Sequence, residues 1–173
     1  MALIESVRGY TPQLGTDCWL APNSTLVGEV ELGDKCTVWF GAVVRGDVNF
    51  IKVGNNTNIQ DNVTIHGTYK TSGTTIGNNV SIGHNAVVHG CTIEDNVLIG
   101  IGAIVLDNAI IKSGSIIGAG SVVLANTVVE PNSVIGGIPG KKLKSMDEAN
   151  KDMLSRIAGN YNMYAGWFKE NEK

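Results

Sequence analysis

Residues 76–105 read IGNNVSIGHNAVVHGCTIEDNVLIGIGAIV, and an aliphatic residue opens a new unit at Ile76, Ile82, Val88, Ile93, Ile99 and Val105. The steps are six residues long except the one into Ile93, which is five. Such a period is too long for the alternation of a lone strand and fits no helical face. It belongs to a solenoid of short strands and turns, and hexapeptide repeats of this kind mark a parallel β-helix.

The same pattern extends back through Leu14, Leu20, Leu26, Leu32, Val38, Val44, Val53, Ile59 and Ile65. It continues forward through Ile111, Ile117, Val123, Val129 and Ile135. The second position is often glycine, as at Gly33, Gly54, Gly77, Gly83, Gly100, Gly118 and Gly136. The fifth is small or β-branched, as at Ser24, Cys36, Thr57, Val80, Ala86, Ala103, Ser121 and Ser133. The phase slips between Val44 and Val53, where a bulge is expected after Asp47 across Asn49 to Lys52, and again between Ile65 and Ile76. Insertions in a solenoid gather on its binding face.

All three histidines, His66, His84 and His89, lie beside these slips. If three hexads make one triangular coil, every third opening residue shares a face, with coils stacked at roughly 4.8 Å. Val44, Ile65 and Val88 then stack, each followed by a polar residue: Arg45, His66 and His89. Ile59 and Ile82 share the preceding face, with Asp61 and His84 two residues further on. His66 and His89 are therefore neighbours, while His84 leaves the prism on another side.

One prism does not bring the three rings to one ion. Two prisms side by side do, with His66 and His89 from one subunit and His84 from the next, an arrangement that closes as a three-fold ring. Three imidazoles with an open fourth position are the ligand set of a hydrolytic zinc site, where the metal lowers the pKa of bound water to about 7. A lone histidine is more often a surface or stacking residue, but the register of this set favours a metal. Imidazole suits Zn2+, Fe2+ and Co2+ alike.

The segments Val43-Val44-Arg45-Gly46-Asp47, Asn58-Ile59-Gln60-Asp61, the isolated His66, Gly83-His84 and Val88-His89-Gly90-Cys91 carry a specific resemblance. From about Gly9 to Pro139 the chain resembles the gamma-class carbonic anhydrases and their relatives, trimeric left-handed β-helix proteins of the hexapeptide-repeat superfamily. The resemblance implies an all-β solenoid of left hand, although parallel crossovers are ordinarily right-handed. It implies that His66, His84 and His89 bind Zn2+, or Fe2+ or Co2+, between the subunits of a homotrimer. It implies that Arg45 and Asp61 pair across that interface with Asp47 nearby, and that Gln60 contacts the reacting water or bicarbonate. In short-loop relatives a tyrosine on the C-terminal helix reaches the metal pocket, and Tyr164 is the better match.

One departure bears on activity. Val48 stands where the best-characterised enzymes of the class carry a glutamate, and Gly67 to Gly73 contain no carboxylate to shuttle protons. The chain thus resembles the short-loop branch, and proton release would rely on buffer or on Tyr164. The implied reaction is the reversible hydration of CO2 to bicarbonate. Three alternatives stay open: a hexapeptide-repeat acyltransferase binding coenzyme A between coils, a coenzyme A thioesterase using the same metal, and a catalytically silent metal-binding trimer. The acyltransferases use a single catalytic histidine, which three histidines in register argue against.

A chain of 173 residues is one domain plus an appendage. At a net charge of −3 and without a basic block, nucleic acid and anionic membrane are poor partners. Three cysteines and no secretory apolar segment fit a reducing cytoplasm. Cys18 and Cys36 occupy the small fifth position of successive coils and read as packing residues. Cys91 reads as a corner residue sooner than as a fourth metal ligand. Trp19, Trp39 and Phe40 lie near coil corners, where subunit packing is the plain expectation.

Residues 1–140 form the β-helix in this reading, with Met1 to Gln13 covering its open end against edge pairing. Residues 141–173 form a C-terminal helix and tail. Ser145 and Glu148 make a capping-box pattern, and Met146, Met153, Ile157, Tyr161, Tyr164 and Phe168 recur at helical spacing, so this face should turn inward. Lys169 to Lys173 should fray. The unbroken register from Ile93 to Ile135 reads as scaffold, with Asp95, Asn96, Asp107, Asn108, Asn126 and Asn132 as turn residues.

Overall fold

The opening residues of the hexads stack into three aliphatic columns inside a triangular prism. A computed structural model describes residues 1–171. On the first face Leu26, Val44, Ile65, Val88, Val105 and Val123 follow one another in parallel register. On the second the column is Leu14, Leu32, Val53, Ile76, Ile93, Ile111 and Val129. On the third it is Leu20, Val38, Ile59, Ile82, Ile99, Ile117 and Ile135. Seven parallel strands on this third face count the coils of a left-handed β-helix.

Between Leu26 and Ile135 every column residue is buried. Each isoleucine so enclosed contributes roughly 1.5–3 kcal/mol. The columns supply a core although most strands are only two or three residues long. Corners need a backbone turn in the left-handed region, where asparagine and glycine are tolerated. Along the edge between the second and third faces Asn56, Asn79, Asn96 and Asn132 have φ of 55°, 55°, 57° and 54°.

The phase slip after Val44 lies inside one strand, Val43–Val53, and the expected bulge is there: between the pairs Gly28–Gly46 and Val30–Ile51 the register shifts, leaving Asp47 to Phe50 opposite Glu29 alone. The halves on either side pair with the equivalent halves of Thr25–Leu32. The second slip, after His66, holds a small hairpin closed by Thr68 and Ser72. At the N-terminus Leu3–Glu5 joins the first face beside Thr25–Val27. At the other end Lys141–Ser145 returns antiparallel to Ser133–Gly136.

The helix α1, Glu148–Asn171, lies along the third face. Ser145 remains in a strand, so the cap forms two residues later: Asn150 N donates to Asp147 Oδ1 at 2.9 Å, and Asp147 N to Asn150 Oδ1 at 3.4 Å. The inward stripe is Leu154, Ala158, Tyr161 and Ala165, rotated from the one expected. The small Ala165 lets the helix close on Trp19 and Trp39, which are buried beneath it with rings 4.7 Å apart. Trp39 meets Tyr161 at 5.3 Å and Trp19 meets Phe168 at 5.1 Å. The two tryptophans therefore seat the chain's own helix, in place of the expected subunit packing. Fraying from Lys169 is also corrected: Lys169 Nζ holds Asp17 Oδ1 at 2.8 Å and its carbonyl at 3.1 Å. Glu172 and Lys173, the end of the expected fraying tail, lie outside the described residues. Among the described residues no helix is long and apolar enough to cross a membrane.

Candidate metal centre

Strands Thr64–His66 and Val87–His89 pair in register, so His66 and His89 stack directly. Their rings meet edge-on, 62° apart in plane, with His66 Nδ1 3.2 Å from His89 Nε2. Each ring's other nitrogen is held by a carboxylate: His66 Nε2 lies 2.9 Å from Asp47 Oδ1, and His89 Nδ1 lies 2.7 Å from Asp107 Oδ1. Asp47 also pairs with Arg45 Nη1 at 2.5 Å. Burial pushes the Asp47 carboxyl up, but the bonds from His66 and Arg45 outweigh it and hold it below the usual carboxylate range.

His84 follows the third face. Its Nδ1 lies 2.8 Å from Asp61 Oδ2, and its Nε2 is 3.4 Å from the Tyr161 hydroxyl. The His84 backbone N–H donates to Gln60 Oε1 at 3.2 Å, and Gln60 Nε2 donates to Asn58 Oδ1 at 3.0 Å. Gln60 is thereby fixed and nearly buried. Gln60, His84 and Tyr161 form the polar end of a cavity of about 380 Å³ whose walls include Leu98, Ile101, Ile116 and Ile157. Burial, with Asp61 and Tyr164 nearby, pushes the Tyr161 phenol up to about 12, so it is neutral near pH 7.

The donor set fits a metal. Metal-ligating imidazoles ordinarily give their second ring nitrogen to a carboxylate, which fixes the tautomer and the ring plane. Here all three histidines have that partner, leaving His66 Nδ1, His89 Nε2 and His84 Nε2 for an ion. Two nitrogen ligands of a tetrahedral zinc at about 2.05 Å sit about 3.3 Å apart, close to the His66–His89 separation. Among the described residues of a single chain, no three His, Cys, Asp or Glu side chains come together to hold an ion.

Two residues that touch the histidines had been assigned other places by sequence reasoning. Asp107 read as a turn residue of the scaffold, yet it bonds His89. Counting coils points elsewhere: Val88 pairs with Val105, a coil of 17 residues because the step into Ile93 is five, so Leu106 stacks on His89 and Asp107 lies one residue further on, reaching back to the ring. Tyr161 faces His84, whereas Tyr164 packs against Tyr161 and Trp167 at 5.5 and 5.0 Å. Helical periodicity alone does not distinguish these two tyrosines, because α1's rotation is set by Trp19 and Trp39. Within one chain Arg45 pairs with Asp47, and Asp61 pairs with His84. Cys91 is buried in the core, away from solvent, and burial pushes its thiol up to about 12.

Known proteins resemble this chain along most of its length. The family model described as bacterial transferase hexapeptide (six repeats) matches residues 90–125. A carbonic anhydrase of Geobacillus kaustophilus is 36% identical over 92% of the chain and 87% of its own length. The mitochondrial gamma carbonic anhydrase 2 of Arabidopsis thaliana is 38% identical over 90% of the chain, and the chain spans 58% of that relative's length. A Bacillus cereus protein of known structure, provisionally described as an acetyltransferase, is 31% identical with a TM-score of 0.93, over 98% of both chains. The chain belongs to the gamma-class carbonic anhydrase-like family of hexapeptide-repeat, left-handed β-helix proteins.

Proposed function

We propose that the protein is a gamma-type carbonic anhydrase, catalysing CO2 + H2O ⇌ HCO3− + H+ at the subunit interfaces of a homotrimer. The observation that carries this reading is the common wiring of the three histidines. Each has one nitrogen tied to a carboxylate and one left over, on two faces that only a second subunit can bring together. His66 and His89 of one subunit with His84 of the next would hold the ion, Zn2+ or else Fe2+ or Co2+. Bound there, the metal would act as a Lewis acid that lowers the pKa of its water.

The remaining residues orient and enclose. Gln60, held by Asn58 and the His84 backbone, keeps a further amide hydrogen for a bicarbonate oxygen. Arg45, with its guanidinium at the surface beside Asp47, would reach Asp61 of the neighbouring subunit and fix the interface. Tyr161, which faces His84, takes the pocket role expected of Tyr164, with Tyr164 packed behind it. With no carboxylate in residues 67–73, the released proton passes to buffer, so turnover should rise with imidazole buffer concentration. The three free thiols suit a reducing cytoplasm.

Metal content per chain, trimer mass and CO2 hydration, recorded together on oxygen-free wild type and His84→Ala, test the proposal. One metal per chain with hydration activity, both lost in a His84→Ala trimer, is expected. A wild type that holds no metal would overturn it.

A second reading rests on the cavity beside His84. About 380 Å³ walled by Leu98, Ile101, Ile116 and Ile157 exceeds the needs of CO2 and would admit an acyl group. Acyl transfer from, or hydrolysis of, a coenzyme A thioester is then the competing activity, as the Bacillus cereus relative's description suggests. Acetyl-CoA turnover by the same preparations separates the two. A metal-loaded trimer inactive in both assays would leave a metal-binding scaffold.

A further inference from the structure

The hairpin after His66 and the ring of His89 meet on one carboxylate. Asp107 Oδ1 accepts from His89 Nδ1 at 2.7 Å and from Ser72 Oγ at 3.1 Å, while Asp107 Oδ2 accepts from Thr68 Oγ1 at 2.9 Å. Thr68 and Ser72 also close the hairpin on each other, with Thr68 N to Ser72 O at 2.9 Å and Ser72 N to Thr68 O at 3.2 Å. The same two residues that shape the hairpin therefore tie it to a histidine from another coil.

The packing leaves room for this meeting only because residue 90 is glycine. A Cβ at Gly90 would overlap both the Asp107 carboxylate and the Ser72 hydroxyl. Gly90 also lies at φ +55°, and its N–H reaches the His66 carbonyl at 3.0 Å and Thr74 Oγ1 at 3.0 Å. Thr74 Oγ1 in turn donates to the His66 carbonyl at 2.6 Å. The backbone of His66, the ring of His89 and the hairpin 67–73 are thus one hydrogen-bonded body.

Besides these bonds the hairpin is held by the Arg8 guanidinium 5.7 Å from the centre of the Tyr69 ring and by the Phe50 ring against Gly73. Tyr69 is more than half exposed, and Lys70 and Thr71 project into solvent at its tip. Asn49 Nδ2 adds one bond, to the Thr68 carbonyl at 3.1 Å. Segments with few buried apolar contacts open easily unless polar groups pin them.

We propose that Asp107 is a positioning residue that locks the His89 ring and the hairpin 67–73 into a single unit, so that ion binding at the histidines and ordering of the hairpin reinforce each other. This rests on the metal reading above and extends it. By holding Nδ1, Asp107 makes Nε2 the nitrogen that His89 presents beside His66. By holding Thr68 and Ser72, it sets the rim over the same layer. Occupying the site steadies His89, and through Asp107 steadies the hairpin.

The test uses the full chain, with Zn2+ affinity measured by competition with a chromophoric chelator, the visible spectrum of the Co2+-loaded protein, and amide exchange of residues 67–73. In wild type, Zn2+ should slow exchange across the hairpin. In Asp107→Ala, Zn2+ affinity should fall ~10- to 100-fold, the Co2+ spectrum should change, and Zn2+ should no longer protect residues 67–73. Asp107→Asn keeps an oxygen for His89 and Ser72 and should lose less than about fivefold, which separates positioning from misfolding. Thr68→Val with Ser72→Ala leaves the Asp107–His89 bond intact but should still weaken Zn2+ about threefold or more.

Wild-type Zn2+ affinity in Asp107→Ala, or in the Thr68→Val/Ser72→Ala variant, overturns the lock. A wild type that takes up no Zn2+ overturns the metal reading instead. Hairpin exchange unchanged in metal-free Asp107→Ala would then overturn the hairpin half of the proposal independently.

Discussion

A mixed trimer gives a direct test of where the three histidines meet. His66→Ala and His84→Ala subunits are each expected to be inactive alone, because each removes one ligand from every site. Co-expressed with different tags, they assemble at random, and a site is complete only when two conditions hold. The subunit that offers His66 and His89 must be the His84→Ala chain, and its neighbour across the interface must be the His66→Ala chain. Each condition has a probability of about one half, so about one quarter of sites in an equimolar mixture should be restored in a three-fold ring.

The geometry sets that figure: His66 and His89 share a face in register, and His84 emerges from another. The assay is metal content and CO2 hydration of doubly tagged trimers, against the two separately purified variants mixed without reassembly. Selecting doubly tagged trimers removes the two homotrimers and leaves one complete site in each three-fold ring, so about a third of wild-type metal and activity is expected from the first sample and none from the second. Zero recovery in assembled mixed trimers would refute the shared site and require all ligands from one chain.

The other predictions concern the fold, the helix and the pocket. Ile65, fully buried between Val44 and Val88 in the first column, should lose about 3–4 kcal/mol on Ile65→Ala, read by urea denaturation at fixed protein concentration; a loss under about 1 kcal/mol would refute the column packing. Lys169 holds the Asp17 carboxyl below the usual carboxylate range, by hydrogen bond and then by charge. That pairing is fully present above the ordinary Asp value of 3.8 and is lost as pH falls through the lowered one, so amide exchange near residue 169 should accelerate only in acid. Tyr161→Phe should alter CO2 hydration more than Tyr164→Phe, since Tyr161 alone of the two faces His84; equal effects would place both in the helix packing only. Chelation should lower the trimer's resistance to dilution, because an ion bridging two subunits adds about 2.7 kcal/mol per site at a hundredfold excess over its Kd. His84→Ala trimers should show no such zinc dependence.

The columns were legible because hexad phase leaves only one way to stack. Once Val44, Ile65 and Val88 share a face, the pairing of His66 with His89 and the divergence of His84 follow from counting. What escaped was of two kinds. Asp107 lies one coil beyond Gly90, so counting puts Leu106 on His89, and the Leu106-Asp107-Asn108 context resembles every other corner. The orientation of α1 was out of reach, since it depends on the fit of Ala165 and Tyr161 over Trp19 and Trp39. Helical periodicity in α1 offers two adjacent stripes, and the aromatic seat on the prism selects between them.

That contrast explains how a monotonous scaffold comes to carry a chemical site. A regular coil offers every layer the same environment, so a polar side chain placed on it meets only the residue one coil above and one below. The His66–His89 contact is of this kind; in the Asp107–His89 contact the carboxylate reaches back from one residue past the stacked Leu106, in the coil that the five-residue step into Ile93 shortens. A third ligand from a different face cannot be reached by stacking, and a cover over the layer cannot be made from two-residue strands. In the trimer proposed above, the first need is met by a neighbouring subunit. The second is met where the period breaks: the continuous corner strand Val43–Val53 presents Asp47, and the hairpin between His66 and Thr74 folds back onto Asp107. Elsewhere, from Ile93 to Ile135, an insertion would break three stacked columns without reaching the histidines, and there the register is unbroken.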